Sequence, residues 1–207
     1  MNLTEWLQGF AGAAPIEWIA TIAGFLCVFL LIRRNIWSWA AGLVQVTLFV
    51  YIFWQAKLYS DMGLHVIYIG LQFYGWWSWL QHKDQQQEVV VELGVGWQYA
   101  VWAVVAVLGA FGMGWLLTHT DASLPYADSF VLSASLVAQW LLIRRQLFNW
   151  SFWIVVDVVA IWVYYQKGLY PTTVLYSCFL VMAIIGQYIW WKRYQAQTSV
   201  KAEPSYA

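Results

Sequence analysis

Residues 144–166 of this 207-residue chain read RRQLFNWSFWIVVDVVAIWVYYQ, an apolar run of membrane length opened by two arginines. Its middle carries Asn149, Trp150, Trp153 and Asp157, at offsets that fall on one face of a helix. A carboxylate near the bilayer midplane is costly, so such a face turns toward a bundle interior or a wet cavity rather than toward lipid. The face is expected to form half of a substrate pocket. A degenerate copy of the stretch lies earlier in the chain, and comparing the two separates scaffold from site.

The composition sets the environment. With 62% hydrophobic and only 10% charged residues, the chain is a polytopic membrane protein. Its net charge is zero, and without a clustered positive surface no nucleic-acid partner is expected. Seventeen tryptophans exceed what interfacial belts require, which leaves some as candidates for stacking on a ligand. Cys27 and Cys178 sit in apolar segments and read as small core residues. The first sixteen residues lack a basic n-region and a clean cleavage site, so an interfacial segment is expected there rather than a removable signal.

Seven stretches are free of charge or nearly so: 18–32, 35–56, 62–81, 93–118, 129–143, 146–166 (broken by Asp157) and 168–191. The first and fifth are short for a crossing, which places Glu17 and Asp128 just inside the interface. Sliding the sequence on itself by 111 residues brings Leu31-Ile32-Arg33-Arg34 onto Leu142-Ile143-Arg144-Arg145 without a gap. Trp39 then meets Trp150, Leu58-Tyr59 meets Leu169-Tyr170, Gly75 meets Gly186 and Trp79 meets Trp190. So many pairs on one offset mark a duplication. The expected fold is all-α: seven transmembrane helices, two parallel three-helix repeats and a linker helix that restores direction, three plus one plus three. The chain divides into an interfacial segment 1–16, repeats 17–81 and 128–192, a loop and linker helix 82–127, and a tail 193–207.

The basic residues orient it. With the N-terminus outside, the inner loops and tail hold Arg33, Arg34, Lys83, Arg144, Arg145, Lys192, Arg193 and Lys201, against Lys57 and Lys167 outside. That bias satisfies the positive-inside rule and puts the N-terminus in the periplasm and the C-terminus in the cytoplasm of a bacterial inner membrane.

The site is sought where the copies differ. Ser38, Trp39, Gly42 and Val46 stand where Asn149, Trp150, Trp153 and Asp157 stand in the second copy. The third helices differ in the opposite sense, with His65, Tyr68, Gln72, Gly75, Trp76 and Trp79 against Tyr176, Phe179, Ala183, Gly186, Gln187 and Trp190. A symmetric scaffold presenting unequal side chains suits an asymmetric small molecule. The candidate binding residues are Asn149, Trp150, Trp153, Asp157, Gln72, Tyr68, Trp39 and Gln139. Each has a bland alternative: the tryptophans as helix packing, Asp157 as a structural acid, Gln45, Gln72 and Gln139 as interhelical hydrogen-bonding groups, and His65 as a core histidine. Gly109, Gly112 and Gly114 read as close helix contacts. His65, His82 and His119 lack metal-ligand spacing, and no zincin, Walker or nucleophile-elbow motif occurs, so no enzyme, metal or cofactor is expected.

From Glu17 to Trp191 the chain resembles the PnuC family of bacterial vitamin transporters. The resemblance is carried by Trp150 and Trp153 within FNWSFWIVVD, by YGWWSW at 74–79, and by the KLYSD and KGLYPT turns. It implies seven helices in a SWEET-like arrangement, facilitated uptake of nicotinamide riboside, trapping by a cytoplasmic kinase, and a trimer. Riboside carriers of that family tend to have an asparagine near the glycine of the last helix. Here LVMAIIG, residues 180–186, has none, which keeps thiamine as an alternative substrate. A structural membrane subunit is the alternative from another class. Tryptophan faces would hold a cationic aromatic ring, with Asp157 as counter-charge.

Overall fold

A computed structural model describes residues 15–55, 59–82, 89–119, 124–168 and 170–202. It is helical, with α1 Pro15–Ile32, α2 Trp37–Gln55, α3 Tyr59–Gln81, α4 Gly96–Leu117, α5 Pro125–Ile143, α6 Asn149–Gln166 and α7 Tyr170–Ala202. Five of these are long and apolar enough to cross a membrane, namely α1, α2, α4, α5 and most of α7. The other two, α3 and α6, carry Gln72, Asn149 and Asp157, and all three side chains are buried.

Lipid offers backbone groups no partner, so helix ends near it must be closed locally. The duplication does this in the same way twice. At the end of α1 the Asn35 N–H donates to Leu30 O and the Arg34 N–H to Leu31 O, both at 2.9 Å. At the end of α5 the Gln146 N–H donates to Leu141 O and the Arg145 N–H to Leu142 O, again at 2.9 Å. Both are Schellman closures, with Arg34 (φ 57°) and Arg145 (φ 58°) in the left-handed region that usually takes glycine. Acids in the first turns, Glu17 of α1 and Asp128 of α5, match as well. Asp128 also receives Lys167 at 2.7 Å.

Contacts among the helices close a ring in the order α1, α2, α3, α5, α6, α7 and back to α1, with α4 outside it and packed on α5. Each three-helix unit keeps its chain order, and the units meet at two seams, α3 on α5 and α7 on α1. One pair of bonds crosses both seams. Trp79 Nε1–H donates to Leu142 O, and Trp190 Nε1–H to Leu31 O, each at 3.2 Å. The donors are equivalent positions of the two repeats, and so are the acceptors. Both indoles are fully buried and sit 6.1 Å apart between centroids.

Several expectations are adjusted. The interfacial segment lies almost wholly outside the described residues, and Pro15 and Ile16 already belong to α1. The tail expected from residue 193 is helical through Ala202, continuing α7 in a stretch rich in good helix formers. In the loop expected to open 82–127, residues 89–92 are non-helical but not fully solvated, because Val89 and Val91 are buried in the main core. Cys27 is buried as expected, but Cys178 is exposed on α7. A helix surrounded by lipid is apolar on both faces, so an apolar neighbourhood in sequence does not tell inside from outside. On α4, a Cβ at Gly109 or Gly114 would strike Ser133 or Tyr126 of α5, whereas Gly112 faces open space.

Trp79→Phe and Trp190→Phe each remove one cross-seam donor and little ring area. Each is expected to lower the stability of the solubilised protein by about 0.5–1.5 kcal/mol, the net worth of one hydrogen bond, because the carbonyl keeps the N–H of its own helix-closing arginine. Thermal unfolding should show two similar losses, and a double variant less destabilised than their sum, since the two rings touch.

Candidate functional site

The two repeats deliver side chains in layers, the first and second about one turn apart along the second helices, from Trp39 to Gly42 and from Trp150 to Trp153. The first layer lies at the ring's basic end. Trp39 and Trp79 meet edge-on at 5.2 Å, Trp150 and Trp190 edge-on at 5.7 Å, and the Trp79–Trp190 contact joins the pairs across the centre. Glycine makes this possible at equivalent places. A Cβ on Gly186 would lie 2.7 Å from the Trp150 ring, and one on Gly75 would overlap Trp39.

Around this tetrad four buried polar atoms have no hydrogen-bond partner in the protein: Ser38 Oγ, Trp39 Nε1, Asn149 Oδ1 and Trp150 Nε1. They are two equivalent pairs, at the start of α2 and at the start of α6. The residues are at most 2% exposed. The Asn149 amide is otherwise anchored, its Nδ2–H donating to Gln146 O at 2.7 Å, so its oxygen is held in place as an acceptor. An orphaned buried polar group costs about 1–3 kcal/mol, and four of them in symmetric positions call for an explanation.

The second layer is where the copies diverge. Gly42 leaves space that Gln72 fills from α3, since a Cβ at Gly42 would collide with the Gln72 amide. At the equivalent places the second repeat has Trp153 and Ala183. A small residue on the second helix faces a polar one on the third in one repeat, and a large aromatic faces a small one in the other. Asp157 is buried farther along α6, where the first repeat has Val46. Tyr176 lies within electrostatic reach of Asp157, Tyr68 and Tyr164.

The third layer is aromatic in both halves. His65 packs on Phe49, Phe53 and Tyr68, and Tyr176 packs on Tyr164 and Phe179. Tyr68 reaches across a seam to the Ser135 hydroxyl, and Phe179 crosses the other to Phe25 at 5.2 Å.

Of the sequence candidates, Asn149, Trp150, Asp157, Gln72, Trp39 and Gln139 are buried, while Trp153 and Tyr68 are half-buried. The tetrad brings Trp39 and Trp150 together, and the second layer holds Gln72, Trp153 and Asp157. His65 takes its place among aromatic rings. Ser38 is not among the sequence candidates, yet the structure leaves Ser38 and Trp39 as unsatisfied as Asn149 and Trp150. The signal was present in their alignment with that pair. Trp79 and Trp190 also matched in the repeat, but nothing in their spacing told that they bond across seams.

The model of the family described as nicotinamide mononucleotide transporter matches residues 14–192. The nicotinamide riboside transporter PnuC of Escherichia coli (strain K12) is 26% identical over 212 residues, covering 87% of each chain. The protein of the same name from Neisseria mucosa is 28% identical over 209 residues, covering 90% of this chain and 80% of that one. A crystal structure of the vitamin B3 transporter PnuC superposes with a TM-score of 0.75 at 25% identity, covering 93% of this chain and 87% of the other.

Gly75→Ala and Gly186→Ala press a methyl group into Trp39 and Trp150. Each is expected to destabilise by about 1–3 kcal/mol as an overpacked core does. Adding Trp39→Phe to Gly75→Ala should recover part of the loss, a coupling of at least about 0.5 kcal/mol readable in a double-mutant cycle of unfolding midpoints.

Proposed function

Because this chain belongs to the nicotinamide mononucleotide transporter family, we propose that it is a membrane transporter for nicotinamide riboside, bound at the buried aromatic layers between its two repeats. Relatives named as riboside transporters, matched over most of the chain, support the substrate. The observation that carries the site is the set of four orphaned polar atoms about the tryptophan tetrad. A pyridinium carboxamide joined to a ribose brings both what they lack and what they offer. The indole N–H groups donate to a carboxamide or hydroxyl oxygen, and Asn149 Oδ1 accepts from an amide or a hydroxyl.

Trp153 and Trp150 flank the ring, where each cation–π contact contributes about 0.5–2 kcal/mol. Asp157 balances the pyridinium charge from the next layer, and Gln72, Tyr68, Trp39 and Gln139 complete the polar and aromatic lining. A neutral site would leave that charge without compensation in a medium where charge is costly to bury. Thiamine is also a cationic aromatic, but no relative described above carries that name.

The reading includes passive movement along the substrate gradient, with a cytoplasmic kinase removing the riboside by phosphorylation, and an assembly of three copies. The excess of arginine and lysine at the end bearing Arg33, Arg34, Arg144 and Arg145 supports that end as cytoplasmic.

Purified protein in liposomes is expected to take up labelled nicotinamide riboside, with unlabelled riboside competing and thiamine not, and with no effect of ionophores. Trp153→Ala should abolish uptake without loss of folded protein. Asp157→Asn should weaken binding of the cationic riboside about tenfold, or 1.4 kcal/mol, while changing binding of its uncharged dihydro form less than threefold. Undiminished binding of the cation to Asp157→Asn would remove Asp157 from the site.

A further inference from the structure

Residues 89–92 cross the basic end of the ring and are attached to both repeats. Val89 and Val91 are 2% and 3% exposed and pack in one cluster with Leu31, Leu142, Leu147 and the four indoles of the tetrad. Arg34 Nη1 donates to Val89 O at 2.8 Å from the end of α1. The Val91 N–H donates to Gln197 Oε1 of α7 at 3.3 Å. Glu92 forms a parallel bridge with Gln146, its N–H donating to Arg145 O at 3.0 Å and its carbonyl accepting the Leu147 N–H at 2.9 Å. Its carboxylate pairs with the Arg145 guanidinium.

The two anchoring arginines are the equivalent residues whose backbones turn left-handed. The duplication thus ends each first helix with a buried cation where glycine would be the easier residue, and both cations reach the same short segment. The segment covers the tetrad with its valines, and its polar ties lie at its rim, on the Arg34 and Arg145 corners and on Gln197. The Arg145 guanidinium is buried while the Glu92 carboxylate is about half exposed, so the pair opens to solvent on the Glu92 side. A cover that is apolar beneath and tied by polar bonds at its rim can lift as a unit once those bonds are exchanged for water.

We propose that residues 89–92 form the inner gate of this transporter, a strap that closes the basic end of the binding layers and leaves the Arg34 and Arg145 corners when substrate passes. This rests on the transport reading for what passes, and on geometry alone for what closes.

Two measurements test it, both made in a Cys27→Ala/Cys178→Ala background. The bridge partners are changed together, Glu92→Cys with Gln146→Cys, since such neighbours lie within the roughly 4.4–6.8 Å Cα spacing that a disulfide spans. Once mass spectrometry shows the bond formed, nicotinamide riboside flux in liposomes should fall to about one-tenth or less and return on reduction, as for any gate whose motion limits turnover. Equilibrium binding of the riboside should change little. Flux equal in the oxidised and reduced forms would overturn the proposal.

The second readout needs no substrate. Ser38→Cys reports access to the tetrad, and Val91→Asp places a charge under the strap. Labelling of that cysteine by a water-soluble maleimide should quicken at least about fivefold when the strap is expelled, an opening of the kind seen in local exchange. An unchanged labelling rate would overturn the gate. Labelling that quickens here, while the Cys27→Ala/Cys178→Ala parent with Ser38 intact neither binds nor carries nicotinamide riboside, would instead overturn the substrate reading.

Discussion

Two indole N–H groups, each given to a leucine carbonyl of the opposite repeat, tie the ring together at its basic end. A carbonyl in the last turn of a helix is an orphan acceptor, and the bilayer interior provides no water to meet it. The Leu31 and Leu142 carbonyls also accept the N–H of the arginine that closes their own helix. Each acceptor therefore serves both its own helix end and the neighbouring repeat. Local closure and assembly of the halves become one requirement, and the duplication meets it twice with the same residues.

Such symmetry cannot by itself recognise a molecule that lacks it. The first layer is nearly equal in its two halves, and the inequality is introduced one layer farther out. Gly42 with Gln72 and Trp153 with Ala183 are alternative fillings of equivalent space. Moving the bulk from the third helix to the second alters the chemistry facing the centre, with a polar amide in one half and a large aromatic ring in the other. Asp157 in place of Val46 then adds charge to the same half that gained the large aromatic.

Much of this was legible in the chain because the repeat is written in side chains with backbone duties. The arginine pairs, Gly75 with Gly186 and Trp79 with Trp190 align on one offset, and each proves to close a helix, admit a ring or bridge a seam. Span number and the apolar character of most helices followed from the charge spacing. What stayed hidden was adjacency. Periodicity gives a face but not the neighbour it meets, so the order around the ring and the seams α3 on α5 and α7 on α1 were not readable. The exposure of Cys178 and the burial of Val89 and Val91 were hidden for a related reason: in a lipid setting hydrophobicity no longer marks the interior.

The distribution of bonds along the seams indicates which end is shut. At the basic end the seams carry both indole–carbonyl bonds, and the strap lies across them with its arginine anchors. At the level of the third layer the described seam contacts include the ring contact between Phe25 and Phe179 and the hydrogen bond between Tyr68 and the Ser135 hydroxyl. Ring contacts tolerate sliding better than directed hydrogen bonds, because dispersion varies slowly with orientation whereas hydrogen bonds weaken steeply below about 120°. The α7–α1 seam is thus more directed at the basic end, where Trp190 bonds Leu31 O, than at the aromatic end, where Phe25 meets Phe179. Opening the basic end requires the strap to leave first, so the two ends do not open by the same event, which is the condition an alternating-access carrier has to satisfy.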